Sequence, residues 1–240
     1  MSAPHQRKGP TSRTCALIVG AGASKRMGFD KLTVPLLGKP LILHTLTSFD
    51  ACAEIDDILL VVASSRVAEF EEITASAKIG KLRGIIQGGP ERDSSVWNGL
   101  RSLPKGTDYV AVHDAARPLV SADLIARCVQ AAKISGAAAC AEPLTDTLQR
   151  CDAQLKIIET VPRKDVWRMQ TPQAFKTEIL VDCYTQVLRD GKYVTDESSA
   201  LMLCGQSVQI LPSEEWNFKV TFPRDVKLME SILRASNEMP

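Results

Sequence analysis

The sequence predicts an α/β fold in which helices cover both faces of a mostly parallel, doubly wound β-sheet. Up to Glu142, short apolar runs alternate with segments that have the hydrophobic spacing of helices. The loops between them are short, and this alternation argues for a doubly wound parallel sheet. At 240 residues the chain fits one large α/β domain and leaves little room for a second, independent core.

Five apolar runs predict buried parallel strands, because they are continuous rather than alternating with polar residues. They are Cys15–Val19, Ile58–Ala63, Ile85–Gln87, Tyr109–His113 and Ala137–Glu142. Four segments between these runs predict helices. They are Pro40–Phe49, Val67–Ala77, Ser94–Leu103 and Ala122–Ser135. We expect ligands to bind at the carboxyl ends of the strands, as is usual in sheets of this kind.

The pattern changes after Glu142. Two short segments, Thr147–Cys151 and Lys156–Thr160, flank a polar turn and predict a β-hairpin or extended arm. Regular elements then resume as two helices, a strand and a C-terminal helix, at Thr177–Leu188, Glu197–Cys204, Val208–Leu211 and from about Pro223. The predicted organisation is a flexible tail at residues 1–14 and a single domain at 15–240, with the arm inserted at about 145–168.

Composition argues against several classes of function. Lysine and arginine number 29 against 28 acidic residues, so the net charge of +1 gives no basis for a nucleic-acid-binding surface. No stretch has the length of a membrane span, and the polar segment Met1–Thr14 lacks the apolar region of a secretory signal. Seven cysteines without a CxxC pair indicate reduced, buried thiols. We therefore expect a cytoplasmic protein that binds neither nucleic acid nor membrane.

A glycine-rich turn, GAGASKRMG, follows the first predicted strand from Gly20 to Gly28. Small residues allow backbone amides to approach a phosphate chain, and Arg26 and Lys31 would balance its charge. The spacing fits neither a Walker A loop nor a dinucleotide-binding fingerprint. Many such loops only turn the chain, but two cations at a strand end favour phosphate binding.

A second glycine-rich turn, GGPERDSS from Gly88 to Ser95, also lies between a predicted strand and a predicted helix. Its double glycine and Arg92 fit a second wall of a nucleotide site. Serines at the start of a helix are usually caps, which explains Ser94 or Ser95 equally well. Taken alone, this turn does not decide between the two roles.

The segment VHDAARP, from Val112 to Pro118, is the most informative. Asp114 closes an apolar strand, where a carboxylate has no packing role and can reach a metal ion. Mg²⁺ in proteins prefers one or two carboxylates together with phosphate oxygens. The alternatives are a helix cap for Asp114 and a solvated surface charge for Arg117. For His113 a packed, hydrogen-bonded position is favoured over a ligand role.

Four further polar groups follow in the second half of the chain. Threonine, arginine and lysine together could hold a phosphate monoester. Each residue also has an ordinary explanation: Thr195 and Asp196 could cap the following helix, and Lys219 could be a surface lysine. The groups are Thr145–Thr147 with Arg163, Thr171–Gln173, Thr195–Glu197 and Asn217–Thr221.

In this order, the segments resemble the 2-C-methyl-D-erythritol 4-phosphate cytidylyltransferases of the non-mevalonate isoprenoid pathway. The resemblance runs from about Cys15 to Leu233, and its specific parts are GGPERDSSVWNGL, VHDAARPLV, DTLQR, VPRKDVWRMQTPQAF, TDESSALMLCG and NFKVTFPRDV. It implies a Rossmann-like nucleotidyltransferase fold and a homodimer formed through the arm. It also implies Mg²⁺-dependent attack of a polyol phosphate on the α-phosphorus of CTP.

The resemblance further implies roles for individual residues. The catalytic residues, which stabilise charge on the phosphates, would be Arg26, Lys31 and Lys219, and Asp114 would hold Mg²⁺. Positions that recognise cytosine and ribose match Gly20, Ala21, Gly89 and Ser95, and the glycine-rich turns add Gly22 and Arg92 to the nucleotide side. The residues on the side of the polyol phosphate would be Arg117, Thr147, Arg163, Thr171 and Thr195, with Thr147 and Arg163 reaching across the dimer.

Three alternatives stay open at this point. The short first loop also resembles that of the molybdenum-cofactor nucleotidyltransferases, although these are not expected to carry VHDAARP, TPQAF and TDE together. A ribitol 5-phosphate cytidylyltransferase would share the fold and much of the nucleotide site. A nucleotide-binding regulator without catalysis could have lost some of the cations or the metal carboxylate, all of which are present in this sequence.

Overall fold

A computed structural model describes residues 12–22 and 30–238 of the chain. Residues 1–11, which form most of the predicted tail, lie outside the described residues. Residues 23–29 do so as well, and they include Arg26. Residues 12 and 13 are described, and the first strand begins at Thr14, one residue before the predicted start.

A seven-stranded β-sheet forms the centre of the fold, in the order β11-β7-β10-β6-β1-β4-β5. The strands of the structure are β1 (Thr14–Val19), β2 (Pro35–Leu36), β3 (Lys39–Pro40), β4 (Asp57–Val62), β5 (Leu82–Gln87), β6 (Tyr109–Asp114), β7 (Ala137–Pro143), β8 (Leu148–Cys151), β9 (Ile157–Val161), β10 (Trp167–Lys176) and β11 (Gln209–Pro212). Neighbouring strands of the large sheet are parallel, except that β10 runs antiparallel to both β6 and β7. The predicted α/β class with a mostly parallel sheet is confirmed.

Helices cover both faces of this sheet. They are α1 (Leu41–Ala51), α2 (Val67–Ala75), α3 (Arg92–Arg101), α4 (Ala122–Ser135), α5 (Thr177–Arg189), α6 (Glu197–Leu203) and α7 (Pro223–Glu238). Side chains of β1 alternate between the two faces, as the pleat of a strand requires. Ala16 and Ile18 pack with α1, α2, α4 and α7, whereas Cys15, Leu17 and Val19 pack with α3, α5 and α6. The result is two hydrophobic cores separated by one sheet.

Helix α4 has the bounds that the sequence predicts, because both of its ends carry local stop signals. Ser121 accepts a hydrogen bond from the backbone amide of Leu124 at 3.0 Å, which caps the amino end. Gly136 ends the helix with a φ of 85°, a left-handed conformation that glycine adopts without steric cost. The remaining predicted helices differ from the observed ones by a few residues at their ends.

The prediction missed the longest strand, β10. This strand contains TPQ, whose proline has no amide to donate to a sheet ladder. Accordingly, the pairing of β10 with β7 shifts register between Met169 and Gln173. An interrupted strand of mixed polarity lacks the continuous apolar pattern on which strand prediction depends.

Strands β8 and β9 form an antiparallel hairpin at the position predicted for the arm, in a sheet of their own. All seven cysteines are free, as predicted, and five of them are buried. Cys151 departs from the prediction because it lies on the exposed hairpin. Among the described residues, no helix is both long and apolar enough to cross a membrane.

A buried ion pair fixes the amino-terminal edge of the sheet, opposite the strand ends where ligands are expected. Asp57, fully buried at the start of β4, accepts hydrogen bonds from Nε of Arg13 at 2.7 Å and from Nε of Arg83 at 2.6 Å. Burial alone would raise the pKa of Asp57, but the two guanidinium groups outweigh it and hold this pKa below its ordinary value. The carboxylate therefore links the residue preceding β1 to β4 and β5.

We expect Asp57→Asn to lower the free energy of unfolding by about 2 kcal/mol at neutral pH, since hydrogen bonds to a charged group are lost. Because the folded pKa lies below the unfolded value of about 3.9, this contribution is present above that value and disappears as the pH falls through the folded pKa. Urea denaturation from about pH 7 to about pH 3 measures both effects.

Asp123→Asn serves as the matched control, because Asp123 pairs with Arg127 on the exposed surface of α4. An exposed pair of this kind contributes at most about 1 kcal/mol. Equal losses for the two variants would contradict the structural role assigned to Asp57.

Candidate active site

The predicted polar clusters meet at the carboxyl ends of the strands. Asp114 is the last residue of β6 and is paired with Val19, the last residue of β1. The two glycine-rich turns begin at the same edge, after β1 and after β5. Gly20 donates its amide to the Val61 carbonyl at 2.7 Å, and Gly88 donates to the Val62 carbonyl at 2.7 Å.

Asp114 lies among three cationic side chains. One carboxylate oxygen is 3.5 Å from Nε of Arg92, and the other is 3.5 Å from Nε of Arg117 and 2.9 Å from Nζ of Lys219. Asp114 is only 7% exposed. Burial would raise its pKa, but the combined attraction of the three cations holds the pKa far below the ordinary range. The carboxylate is therefore charged throughout the physiological range.

Arg92 is held by a second carboxylate. Glu197, which is fully buried, accepts two hydrogen bonds from the guanidinium group, from Nη1 at 2.7 Å and Nη2 at 3.1 Å. Tyr184 donates its hydroxyl to the same carboxylate at 3.0 Å. Burial disfavours the charge on Arg92, yet attraction to Glu197 and Asp114 more than compensates and raises its pKa. Arg92 is thus a fixed positive charge.

Arg117 and Lys219 are positioned by the segment that precedes α7. Nη1 of Arg117 donates to the carbonyl of Asn217 at 2.7 Å. The amide of Asn217 in turn donates to Oε1 of Gln170 at 2.9 Å and to the carbonyl of Thr171 at 2.8 Å, which ties this segment to β10. The side chain of Arg117 is 11% exposed, so the alternative of a solvated surface charge is wrong.

Lys31 lies close to this segment. Its Nζ donates to the carbonyl of Val220 at 3.0 Å, directly after Lys219 in the chain. The structure thus brings Lys31, Lys219 and Asp114 into one region. Arg26 lies outside the described residues, so its predicted role remains a prediction.

His113 and Thr171 form a buried support beneath Asp114. Oγ1 of Thr171 accepts from the amide of Asp114 at 3.0 Å and is 3.1 Å from Nδ1 of His113. Nε2 of His113 is 3.2 Å from the carbonyl of Arg117. A carbonyl only accepts, so Nε2 carries the proton and the Thr171 hydroxyl donates to Nδ1. The packed, hydrogen-bonded position predicted for His113 is confirmed, and the pKa of His113 is lowered by burial to about 3.

The two glycine-rich turns touch. A Cβ added to Gly88 would lie 2.5 Å from the Cβ of Ala21 and 2.9 Å from Oγ of Ser95, closer than real contacts allow. Ser95 is buried, and its hydroxyl accepts from the amide of Gly89 at 3.1 Å. Ser94 bonds the amide of Glu91 at 3.0 Å and so fits the capping alternative. The nucleotide-binding roles of Gly20, Ala21, Gly22, Gly89 and Ser95 stay predictions.

A cleft of about 520 Å³ opens beside this cluster. Six of the predicted site residues line it, namely Arg92, Asp114, Arg117, Thr171, Thr195 and Lys219. Thr147 and Arg163 are exposed on the arm and are not among the described residues that line the cleft. The Arg163 guanidinium instead donates to the carbonyl of Thr145. The substrate-binding roles of Thr147 and Arg163 therefore stay predictions.

Sequence reasoning assigned no role to Glu197, Asn217 or Gln173, which the structure places at the site. Gln173 donates to the Asp196 carboxylate at 2.9 Å and accepts from the amide of Ser198 at 3.0 Å. All three residues belong to polar groups that the sequence singled out. Their partners lie far away in the chain, so only the structure reveals what they hold.

The donor set suits Mg²⁺ that arrives with a nucleotide. Among the described residues, no three metal-ligating side chains come together, so the protein alone offers no complete coordination shell. Asp114 is charged and lines a cleft together with Arg92, Arg117 and Lys219. One carboxylate together with phosphate oxygens is a common arrangement for Mg²⁺. The residues therefore fit the ion when a triphosphate supplies the other oxygens.

Comparisons with known proteins point to one family. The family model described as 2-C-methyl-D-erythritol 4-phosphate cytidylyltransferase matches residues 14–235. The enzyme of that name from Trichormus variabilis is 38% identical over 221 residues, which cover 91% of this chain and 97% of the relative. The one from Clostridium botulinum (strain Langeland) is 36% identical over 224 residues, covering 92% and 98%.

Solved structures give the same result. The 4-diphosphocytidyl-2C-methyl-D-erythritol synthase from Anaerococcus prevotii has a TM-score of 0.82 and is 26% identical, covering 93% of this chain and 97% of its own. The 2-C-methyl-D-erythritol 4-phosphate cytidylyltransferase from Thermus thermophilus has a TM-score of 0.74 and is 28% identical, covering 91% and 98%. The predicted Rossmann-like nucleotidyltransferase fold is thereby confirmed.

We expect the imidazole of His113 to stay neutral from about pH 8 to about pH 5, because burial lowers its pKa to about 3. The ordinary value is about 6.5, so the unfolded chain takes up this proton first and stability falls as the pH drops below about 6.5. Histidine-selective nitrogen NMR measures the titration, with the signals assigned by comparison with His44→Gln. A titration midpoint for His113 near the ordinary value would contradict the buried arrangement.

Proposed function

Because the chain belongs to the 2-C-methyl-D-erythritol 4-phosphate cytidylyltransferase family, we propose that it transfers CMP from CTP to 2-C-methyl-D-erythritol 4-phosphate. The products are 4-diphosphocytidyl-2-C-methyl-D-erythritol and pyrophosphate. The observation that carries the proposal is the set of cationic side chains around Asp114 at the carboxyl end of β6. A site built to neutralise phosphate charge suits transfer between two phosphates.

The reaction is a direct displacement at phosphorus. An oxygen of the substrate phosphate attacks the α-phosphorus of CTP, and a new P–O bond forms. The bond from that phosphorus to the oxygen bridging the β-phosphate breaks, and its electron pair leaves with pyrophosphate. A phosphate monoester is already an anion at neutral pH, so the attack needs no general base. Alignment and neutralisation of charge then supply the rate enhancement.

The balance of charge at the site supports this mechanism. Four cationic side chains (Lys31, Arg92, Arg117 and Lys219) lie with three carboxylates, those of Asp114, Asp196 and Glu197. The positive charge that remains suits the binding of phosphate anions. Lys31 and Lys219 are proposed to stabilise charge that develops during the displacement, together with Arg26.

Mg²⁺ is the proposed cofactor, and Asp114 is the residue that would hold it. When bound with the nucleotide, the ion would neutralise charge on the phosphate oxygens. Gly20, Ala21, Gly22, Gly89 and Ser95 are proposed to form the wall that receives cytidine, because they bring two backbone turns into contact at a strand edge.

The polyol phosphate is proposed to bind on the other side of the cleft, near Arg117, Thr171 and Thr195. The hydroxyl of Thr171 already bonds His113 and the Asp114 amide, so this residue would act mainly by shaping the pocket. Thr147 and Arg163 are proposed to complete the substrate site from the arm of a second subunit.

A homodimer formed through the arm agrees with the exposure of the hairpin. Leu155, in the turn between β8 and β9, is 85% exposed, and Ile157 and Ile158 of β9 are 66% and 61% exposed on a sheet of only two strands. A two-stranded hairpin is at best marginally stable in water and gains from apolar cover. A second copy of the arm would provide that cover.

We expect pyrophosphate release with CTP, Mg²⁺ and 2-C-methyl-D-erythritol 4-phosphate, and no release when EDTA removes the metal. Lys31→Ala should lower the rate about 10²–10³-fold, the usual effect of removing one group that stabilises transition-state charge. Lys192→Ala, a change to an exposed lysine beyond α5, should leave the rate unchanged. A coupled phosphate assay measures release.

The same assay separates the alternatives. Preference for ribitol 5-phosphate over 2-C-methyl-D-erythritol 4-phosphate would replace the proposed substrate but keep the reaction. Binding of CTP without release, whichever polyol phosphate is supplied, would favour a nucleotide-binding regulator.

We expect the protein to sediment at about twice its chain mass of 26.2 kDa, and the double variant Ile157→Lys/Ile158→Lys to be a monomer. In this variant the KM for the polyol phosphate should rise about 10-fold or more, while the affinity for CTP stays the same. The reason is that only the polyol phosphate site would include residues of the partner subunit. Gln154→Lys, in the exposed turn of the hairpin, is the matched control. A fully active monomer would contradict the shared substrate site.

A further inference from the structure

We propose that Glu197 is a positioning residue that acts through Arg92 to keep one oxygen of the Asp114 carboxylate, the one not paired with Lys219, open to the metal–nucleotide complex. The inference rests on the proposed function. It assigns a specific task to a residue whose role the sequence left undefined.

Arg92 lies closer to the carboxylate of Glu197 than to that of Asp114. Its two terminal nitrogens hydrogen bond to Glu197 at 2.7 Å and 3.1 Å, whereas its Nε lies 3.5 Å from Asp114. The distance from Arg92 to Asp114 is longer than a normal hydrogen bond between charged groups. Glu197 therefore holds the guanidinium near Asp114 without letting it close on that carboxylate.

Arg92 has reason to move if this restraint is removed. It is the first residue of α3, where the helix dipole disfavours a positive charge. Its side chain is only 28% exposed, so its charge gains from a nearby carboxylate. Once Glu197 is neutral, the nearest remaining carboxylate is that of Asp114. Lys219 already holds one oxygen of Asp114 at 2.9 Å, so a closed Arg92–Asp114 pair would occupy the other oxygen, the one left to bind Mg²⁺.

Stability alone is a weak explanation for Glu197. The residue is fully buried, and a buried ion pair is often no more stable than apolar residues of similar size. Glu197 also accepts a third hydrogen bond, from the hydroxyl of Tyr184, which fixes the direction of its carboxylate. Tyr184 itself is packed in the core and stacks on Trp97 at 6.5 Å between ring centroids. The arrangement fixes where Arg92 lies.

The inference can be separated from simple electrostatics. Replacing Glu197 by glutamine removes one negative charge from the site, so electrostatics alone predicts tighter binding of a triphosphate. If Glu197 acts by positioning Arg92, the substitution should instead weaken binding of CTP when Mg²⁺ is present. We expect Glu197→Gln to raise the Kd of CTP with Mg²⁺ about 10-fold, and to leave the Kd of CTP in EDTA unchanged or lower.

The experiment is isothermal titration calorimetry of CTP on the full chain, with Mg²⁺ and with EDTA. Arg92→Gln and the double variant Glu197→Gln/Arg92→Gln complete a cycle: if Glu197 acts only through Arg92, the double variant binds CTP no more weakly than Arg92→Gln. Glu178→Gln, a change to an exposed acid on α5, should leave both values unchanged. Thermal unfolding confirms that each variant is folded.

Tyr184→Phe provides a second variant should Glu197→Gln fail to fold. It removes only the hydroxyl that orients Glu197, and it should raise the Kd with Mg²⁺ about threefold with no change in EDTA. Equal or tighter binding of CTP with Mg²⁺ by both variants would overturn the inference and leave the proposed function intact. A wild-type protein that binds no CTP would remove the proposed function itself.

Discussion

The site depends on one constraint, a buried carboxylate that must stay charged at the end of a strand. Asp114 meets it because three cations surround it, and two of these, Arg92 and Arg117, are held by further partners. Arg92 is held by Glu197, and Arg117 by the carbonyl of Asn217. Next to Lys219 in the chain, the carbonyl of Val220 accepts a hydrogen bond from Lys31. Because these partners belong to the protein, the charge pattern exists before any phosphate binds, and little reorganisation is required of it during a reaction.

The sheet makes this arrangement possible through its one reversed strand. β10 lies between β6 and β7 and runs antiparallel to both, so its central residues pass the carboxyl end of β6. Thr171 then supports the amide of Asp114, and Gln170 anchors Asn217. In an all-parallel sheet, only strand ends would reach this edge. The interruption of β10 at its TPQ sequence is thus where the strand contributes to the site.

The sequence predicted those features that local patterns determine. α4 was correct at both ends because Ser121 and Gly136 are local signals, and the buried strands stood out as continuous apolar runs. β10 was missed because its pattern is mixed and broken by a proline. Glu197 was missed for another reason: an acid at the start of a helix looks like an ordinary dipole partner. Its true partner, Arg92, is 105 residues away, and no local pattern encodes that pairing.

Under the proposed function, catalysis and substrate choice are built on different parts of the fold. The cations that would face the triphosphate lie at the start of α3, after β6 and before α7, where hydrogen bonds and ion pairs position them. The arm residues Thr147 and Arg163 lie on an exposed hairpin that makes a sheet of its own. Transfer chemistry tolerates little displacement of charge, whereas recognition of a small polyol can change with a few exposed side chains. On this proposal, the strand ends of one chain form the nucleotide half of the site, and the arm of a second copy would complete the substrate half.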